Sequence, residues 1–208
     1  DVSTKVIREH LNSTFKKVLI DKKSQHDEVK EYVKETSPEI LDIVDFYDDQ
    51  LGLFERYHIE DQIKKALDRK VWLPSGGHLI IDRTEALTVI DVNTGKFVGK
   101  NSLEETVYEN NLEAAEEIAR QLRLRDIGGI IVIDFIDMES QKKQQNLLNK
   151  FKYELAKDKT RTQVFEISRL GLVEMTRKNV AAGLIESFSN ECETVSYTHL
   201  RAHETEEN

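Results

Sequence analysis

Two stretches carry acids inside otherwise apolar runs. GGIIVIDFID, Gly128 to Asp137, is apolar enough for a strand buried on both faces, yet it holds Asp134 and Asp137. ALTVIDVNTG, Ala86 to Gly95, runs apolar and then delivers Asp91, with Asn93 two residues on. A buried carboxylate is costly unless its charge is compensated. If the two strands are neighbours in one sheet, Asp91 and Asp134 can face each other, and carboxylates that close repel unless a cation lies between them. A hard divalent ion, Mg²⁺ first among them, resolves both the repulsion and the burial. It takes one or two carboxylates, keeps several waters, and fills its shell from substrate phosphate. The alternative for either Asp is a turn former or helix cap at a strand end. Asp137 reads as the cap of the helix after it, and Asp82 and Asp126 as turn or surface residues.

The elements that must position these groups follow from periodicity. Val2 to Leu11 reads as a short helix, Lys17 to Asp21 as a strand, and Ser24 to Lys34 as a helix with Ser24 as N-cap. Ile43 to Tyr47 is a second strand, and Ile59 to Val71 a helix with Ile59, Ile63, Ala66 and Leu67 on one face. Pro74-Ser75-Gly76-Gly77 breaks the chain, and HLIID and ALTVIDV then read as a hairpin. Ser102 and Glu105 form a capping box opening a helix to about Leu124, with Leu103, Val107, Ala115, Ile118 and Leu122 on one face. After IIVIDF comes a helix from Glu139 to Lys157 with an apolar face of Leu147, Leu148, Phe151 and Leu155. QVFEIS and LVEMTR follow as strands. Helices alternating with buried strands indicate an α/β, or mixed α+β, layered domain.

The bulk properties bound the chemistry. The chain has 208 residues, a formal net charge of −9 and a single cysteine, Cys192. Its mean hydropathy is −0.53, and no apolar run approaches the roughly 20 residues that span a bilayer. Lone Cys192 excludes an internal disulfide and suits a reducing compartment. The missing initiator Met suggests a segment of a longer chain. Residues 120–178 hold 13 Lys/Arg against 8 Asp/Glu, a local excess of basic charge in an acidic chain. Lys142, Lys143, Lys150, Arg161 and Arg169 in this block are candidates for phosphate contacts, with a solvated helix face as the alternative. His10, His26, His58 and His78 are scattered, which argues against a zinc-hydrolase site. There is no Gly-x-Ser-x-Gly elbow, phosphate-binding Gly-rich loop or dinucleotide fingerprint. Trp72 and Phe54 read as core residues.

WLPSGGHLIIDRTEALTVIDVNTGKF, NNLEAAEEIARQLRLRDIGGIIVIDFIDM and ISRLGLVEMTRKNV, in that order and spacing, closely resemble the catalytic core of the ribonuclease E/G family from about Leu73 to Cys192. Residues 1–71, including LFERYHIEDQIKKAL, resemble the preceding part of that family's RNase H-like subdomain. The resemblance implies a partial RNase H-like subdomain over residues 1–67 and a DNase I-like, metal-dependent catalytic subdomain over 68–190. It implies a bacterial, cytoplasmic endoribonuclease that cuts single-stranded RNA in RNA decay and rRNA maturation, with preference for a 5′-monophosphate end. The family's metal-binding aspartates fall on Asp91 and Asp134, and the motif Asn on Asn93, whose amide orients a metal-binding carboxylate. The family's RNA-binding module and 5′-phosphate sensor lie upstream of Asp1. A non-catalytic RNA-binding or scaffold fragment, or another metal-dependent phosphoesterase, are the alternatives.

The family also carries a Cys-x-x-Cys motif through which two subunits of a dimer or tetramer share one Zn²⁺. Here Cys192 takes the first position, and Val195 stands where the second Cys belongs. Four thiolates close a tetrahedral zinc site, and one Cys per chain supplies only two. Val195 to Thr205, VSYTHLRAHET, back-translates to a transposase adapter from sequencing libraries. Residues 191–208 are therefore expected to be a truncated zinc-link motif followed by a non-native, disordered tail. A genuine polar tail is the alternative, and re-amplification from source DNA separates the two.

Overall fold

Alternation along the strands sets the architecture. The computed structural model describes residues 2–11, 15–95, 103–168, 170–179, 183–188, 190–191 and 198–199. The chain divides into two compact units, residues 1–63 and 64–208. In the first, helix α1 (Val2–His10) precedes strand β1 (Val18–Ile20), helix α2 (Lys23–Thr36), a 3-10 turn (Pro38–Ile43), strand β2 (Val44–Phe46) and the short helix α3 (Leu53–Arg56). β1 and β2 pair in parallel, and such a pair needs a crossover, which α2 supplies. Val29 and Val33 of α2 bury against Val44 to make the small core of this unit. Ser24 does not cap α2: the helix starts one residue earlier, Lys22 is at the N-cap position, and no side chain bonds there.

Helix α4 (Ile59–Leu67) stops earlier than its apolar spacing suggested. Lys70–Trp72 instead forms strand β3 at the edge of a six-stranded mixed sheet, order β3-β4-β5-β6-β8-β7. Pairing with β4 (His78–Arg83) overrides the helical period, and Lys-Val-Trp alternates so that Val71 packs on the core. β4 and β5 (Leu87–Asn93) are the expected antiparallel hairpin. Helix α5 (Leu103–Leu124) crosses over to β6 (Gly129–Asp134), which lies parallel to β5. Helix α6 (Gln141–Leu155) leads to β7 (Thr162–Ile167) and β8 (Leu172–Arg177), and β8 pairs antiparallel with both β6 and β7. The chain continues through helix α7 (Leu184–Phe188) to strands β9 (Asn190–Glu191) and β10 (Thr198–His199).

One side of the sheet is covered and the other is open. Leu79, Ile81, Ile90, Val92, Ile131, Ile133, Val173 and Met175 form one buried cluster with Ala115, Ile118 and Leu122 of α5 and Leu147, Leu148, Phe151 and Leu155 of α6. The intervening strand residues point the other way and are half-buried or exposed. β5 and β6 are therefore not buried on both faces, contrary to their composition. The acids sit on the open face.

Other expectations change at element ends. Leu103, assigned to the apolar face of α5, is 67% exposed because the first turn projects beyond the core cluster. Ser140 caps α6, accepting from the Lys143 N–H at 3.4 Å, so Asp137 lies outside the helix and is no cap. Asp82 sits within β4, paired with Arg69, rather than in a turn. Asp126 does sit in a turn with positive φ, but it also binds a buried arginine, Arg177. Trp72 and Phe54 are 65% and 54% exposed and belong to no core. The proposed capping box rests on Ser102, which lies outside the described residues. Near the C-terminus, β10 pairs antiparallel with β9. Among the described residues no helix is long and apolar enough to cross a membrane.

Candidate metal-binding site

The two central parallel strands deliver the acids. Register pairs Asp91 of β5 directly with Asp134 of β6, at the C-terminal ends of both strands. Neighbouring strands lie about 4.8 Å apart and paired residues share a face, so the carboxylates project side by side from the open face. Asp91 is half-buried and Asp134 exposed. Partial burial pushes the Asp134 carboxyl above its usual range, and the charges of Asp91 and Asp137 push it the same way. Burial first and the crowding of like charges second thus disfavour two ionised carboxylates at this place.

Supporting contacts hold the Asp91 carboxylate and the backbone that follows Asp134. Asn93 follows Asp91 by two residues on the same face, and its Nδ2 donates to Asp91 Oδ2 at 2.8 Å. Asn111 of α5 is fully buried and grips the chain leaving β6: its Nδ2 donates to the Ile136 carbonyl at 2.8 Å, and the Ile136 N–H donates to its Oδ1 at 3.1 Å. This pair of hydrogen bonds fixes the segment between Asp134 and Asp137. The sequence reading missed Asn111. The signal was there, since a polar residue four positions after Val107 falls on the core side of α5 and needs a partner.

The turn before β4 supports Asn93 from the other side. Ser75 N–H donates to Glu113 Oε2 at 3.0 Å, and Ser75 Oγ donates to Asn110 Oδ1 at 3.2 Å, docking the turn on α5. A Cβ on Gly77 would lie 2.7 Å from the Asn93 carbonyl oxygen and collide with Asn110 Oδ1. Gly77→Ala is therefore expected to destabilise the chain by about 1–3 kcal/mol, measured by urea denaturation. An unchanged midpoint would mean the turn is not packed this tightly.

The donor set fits Mg²⁺. Among the described residues no three His, Cys, Asp or Glu side chains are grouped to hold a metal, so the pair stands without a closed cage. Two adjacent carboxylates with room for water and phosphate suit a hard, octahedral ion better than the crowded shell of Ca²⁺ or the N/S shell of Zn²⁺.

The basic candidates are not gathered at the carboxylates. Lys143 bonds to Glu105 Oε2 at 2.8 Å with Glu104 at 3.6 Å, and the hydrogen bond to Glu105 raises its pKa. Lys150 lies between Glu154 at 2.7 Å and Glu116 at 3.3 Å. Both belong to α6, which covers the opposite side of the sheet, and their charge is largely neutralised within the fold. Lys142 is exposed on the same helix. Arg161 is exposed beside Ile130, Gln163, Thr176 and Lys178 at a shallow depression near the start of β6. Arg169 and Cys192 lie outside the described residues.

A mixed sheet with one bare face thus carries paired acids near the ends of two adjacent strands. The chain itself belongs to the ribonuclease E/G family, whose sequence profile matches residues 1–180. It is 40% identical to ribonuclease G of Salmonella typhimurium over 193 residues, covering 93% of this chain and 40% of that protein. It is 43% identical to ribonuclease E of Haemophilus influenzae over 192 residues, covering 92% of this chain and 20% of the relative. Against ribonuclease E of Escherichia coli the identity is 40% over 199 residues, or 95% of this chain and 19% of the relative. The chain thus spans two fifths or less of the length of these relatives. The expected family and the mixed α/β fold are both borne out.

Proposed function

We propose that this chain carries the metal-binding centre of an endoribonuclease that cuts single-stranded RNA. The reading rests on one observation above the others: the Asp91–Asp134 register pair, with Asn93 bonded to Asp91, in a chain of the ribonuclease E/G family. Asp91 and Asp134 would hold Mg²⁺ through carboxylate oxygens, and Asn93 would keep the Asp91 carboxylate turned toward it. Mg²⁺ bound there supplies Lewis-acid polarisation of the scissile phosphate and a water of lowered pKa. The protein's share is orientation. Asn93 and Asn111 fix the two strand ends before substrate arrives, so little rearrangement is left for the reaction itself. The products are 5′-phosphate and 3′-hydroxyl ends. By the same family membership we assign the full-length protein to RNA decay and rRNA maturation in the bacterial cytoplasm, as a dimer or tetramer. We assign no zinc to Cys192, because Val195 leaves two chains with only two thiolates at that motif.

Mn²⁺ titration with assigned amide NMR tests the centre on the chain as it stands, Mn²⁺ standing in for Mg²⁺. Paramagnetic broadening should centre on Asp91, Asn93 and Asp134 and vanish in the Asp91→Asn/Asp134→Asn double variant. Broadening spread over the acidic first unit, unchanged in the variant, would sink the assignment.

A further inference from the structure

Beyond the carboxylates, the open face carries an aromatic cluster that the proposed reaction does not use. Trp72, at the end of the edge strand β3, is 65% exposed. Its register partner is His78, and the two ring centroids are 5.4 Å apart with planes tilted by 53°. His78 is in turn the register partner of Asn93. Trp72, His78 and Asn93 therefore form one row across three strands. The adjacent row on the same face reads Lys70, Ile80, Asp91, Asp134, Leu172. Two strand spacings, about 10 Å, separate the indole from Asn93. One to two nucleotides of an extended strand span that distance.

The details suit a stacked base. Lys70 Nζ lies 3.9 Å from the Trp72 ring centroid, so a cation sits on one face of the indole and holds it in place. His78 meets the ring at a tilt and leaves the rest of the indole to solvent. An apolar ring of this size is costly to leave in water, and an exposed edge-strand Trp gains nothing for the fold. A planar base laid on it recovers that area, and Lys70 stands ready for the phosphate beside the base. Base–aromatic stacking discriminates little between sequences but requires an unpaired base, because a base inside a duplex has no free face.

We propose that Trp72 and His78, steadied by Lys70, form a stacking platform for an unpaired nucleobase of the substrate strand next to the scissile phosphate. The proposal deepens the RNA reading above and rests on it. It makes the Trp72 row a determinant of single-strand selectivity: the phosphate reaches Asp91 and Asp134 only from a strand whose neighbouring base is free to stack.

The sequence has a single tryptophan, so tryptophan emission excited at the red edge, where tyrosine does not absorb, reports on this ring alone. A short oligouridylate with a terminal dye is titrated into the full chain, following dye anisotropy and tryptophan emission together. Emission should be quenched in step with the anisotropy rise. Trp72→Ala should weaken binding about tenfold, with Trp72→Phe recovering most of the loss. The same oligonucleotide made abasic should bind the native chain no better than the intact one binds Trp72→Ala. Anisotropy that rises while emission stays constant, or a Trp72→Ala variant that binds as tightly as the native chain, would overturn the platform and leave the RNA reading standing. No binding of single-stranded RNA by any readout would overturn both.

Discussion

Asp91→Asn and Asp134→Asn should each lower metal-dependent RNA cleavage by the full-length enzyme by about 10³-fold, a loss of roughly 4 kcal/mol of transition-state stabilisation. Asn keeps the shape of the side chain and removes the charge that holds the ion, so the loss should appear in kcat with the fold intact. Asn93→Ala should cost less, about 10- to 100-fold, because it frees the Asp91 carboxylate to rotate without removing a ligand. The stability of the metal-free chain should move the other way. Burial and the charges of Asp91 and Asp137 raise the Asp134 pKa, so its ionised form is disfavoured in the fold. With EDTA at neutral pH, Asp134→Asn should therefore melt higher than the native chain, by about 1–3 °C given how exposed the group is. A variant that loses activity and also melts lower would show that Asp134 supports the fold, and the metal assignment would fail for that residue.

Most of the sheet was legible because its strands obey period two and its helices period 3.6. β8 and the apolar face of α6 were read residue for residue, and β4–β5 as a hairpin. The failures have local causes. The helical reading from Ile59 to Val71 takes in Lys70 and Val71 because Val71 extends the apolar spacing, and pairing with β4 makes them part of a strand instead. Had that strand been seen, Val71 facing in would have placed Trp72 facing out. The acids were legible as a pair, but the reason given for them was half right. A run such as Ile130 to Phe135 looks buried on both faces when Ile130 is in fact 52% exposed. Composition cannot separate a doubly covered strand from one whose second face is apolar but open. Lys143 and Lys150 of the basic block in 120–178 meet Glu104, Glu105 and Glu116 from outside it, pairings that sequence distance conceals.

The largest effect on stability should come from Arg177→Met. Arg177 ends β8 with its side chain 4% exposed. Its Nη1 donates to Asp126 Oδ1 at 2.8 Å and to the Ile127 carbonyl at 3.0 Å. Its Nε and Nη2 reach Asp158 Oδ2 at 3.1 and 3.0 Å, and Nη2 also donates to Thr160 Oγ1 at 3.3 Å. One guanidinium thus joins the turn after α5, the connection after α6 and the strand beside β6, the strand that delivers Asp134. Met matches its bulk but leaves Asp126 and Asp158 facing the core edge with no counter-charge, and breaking such a buried pair costs about 3–5 kcal/mol. Lys would not restore it, because a single ammonium cannot serve Asp126, Asp158 and a carbonyl in one plane. The pH dependence identifies the cause. Burial alone would raise the Asp158 pKa, but the Thr160 N–H and the Arg177 guanidinium outweigh it and hold the group below the usual carboxylate range. The stability Asp158 contributes is present above its unfolded pKa, about 3.9, and is lost as pH falls through the lower folded value. Urea denaturation should show the gap between native chain and variant widest near pH 7 and narrowing below pH about 4. A gap that is the same at both pH values would mean Arg177 acts by filling space, and the charge argument would fall.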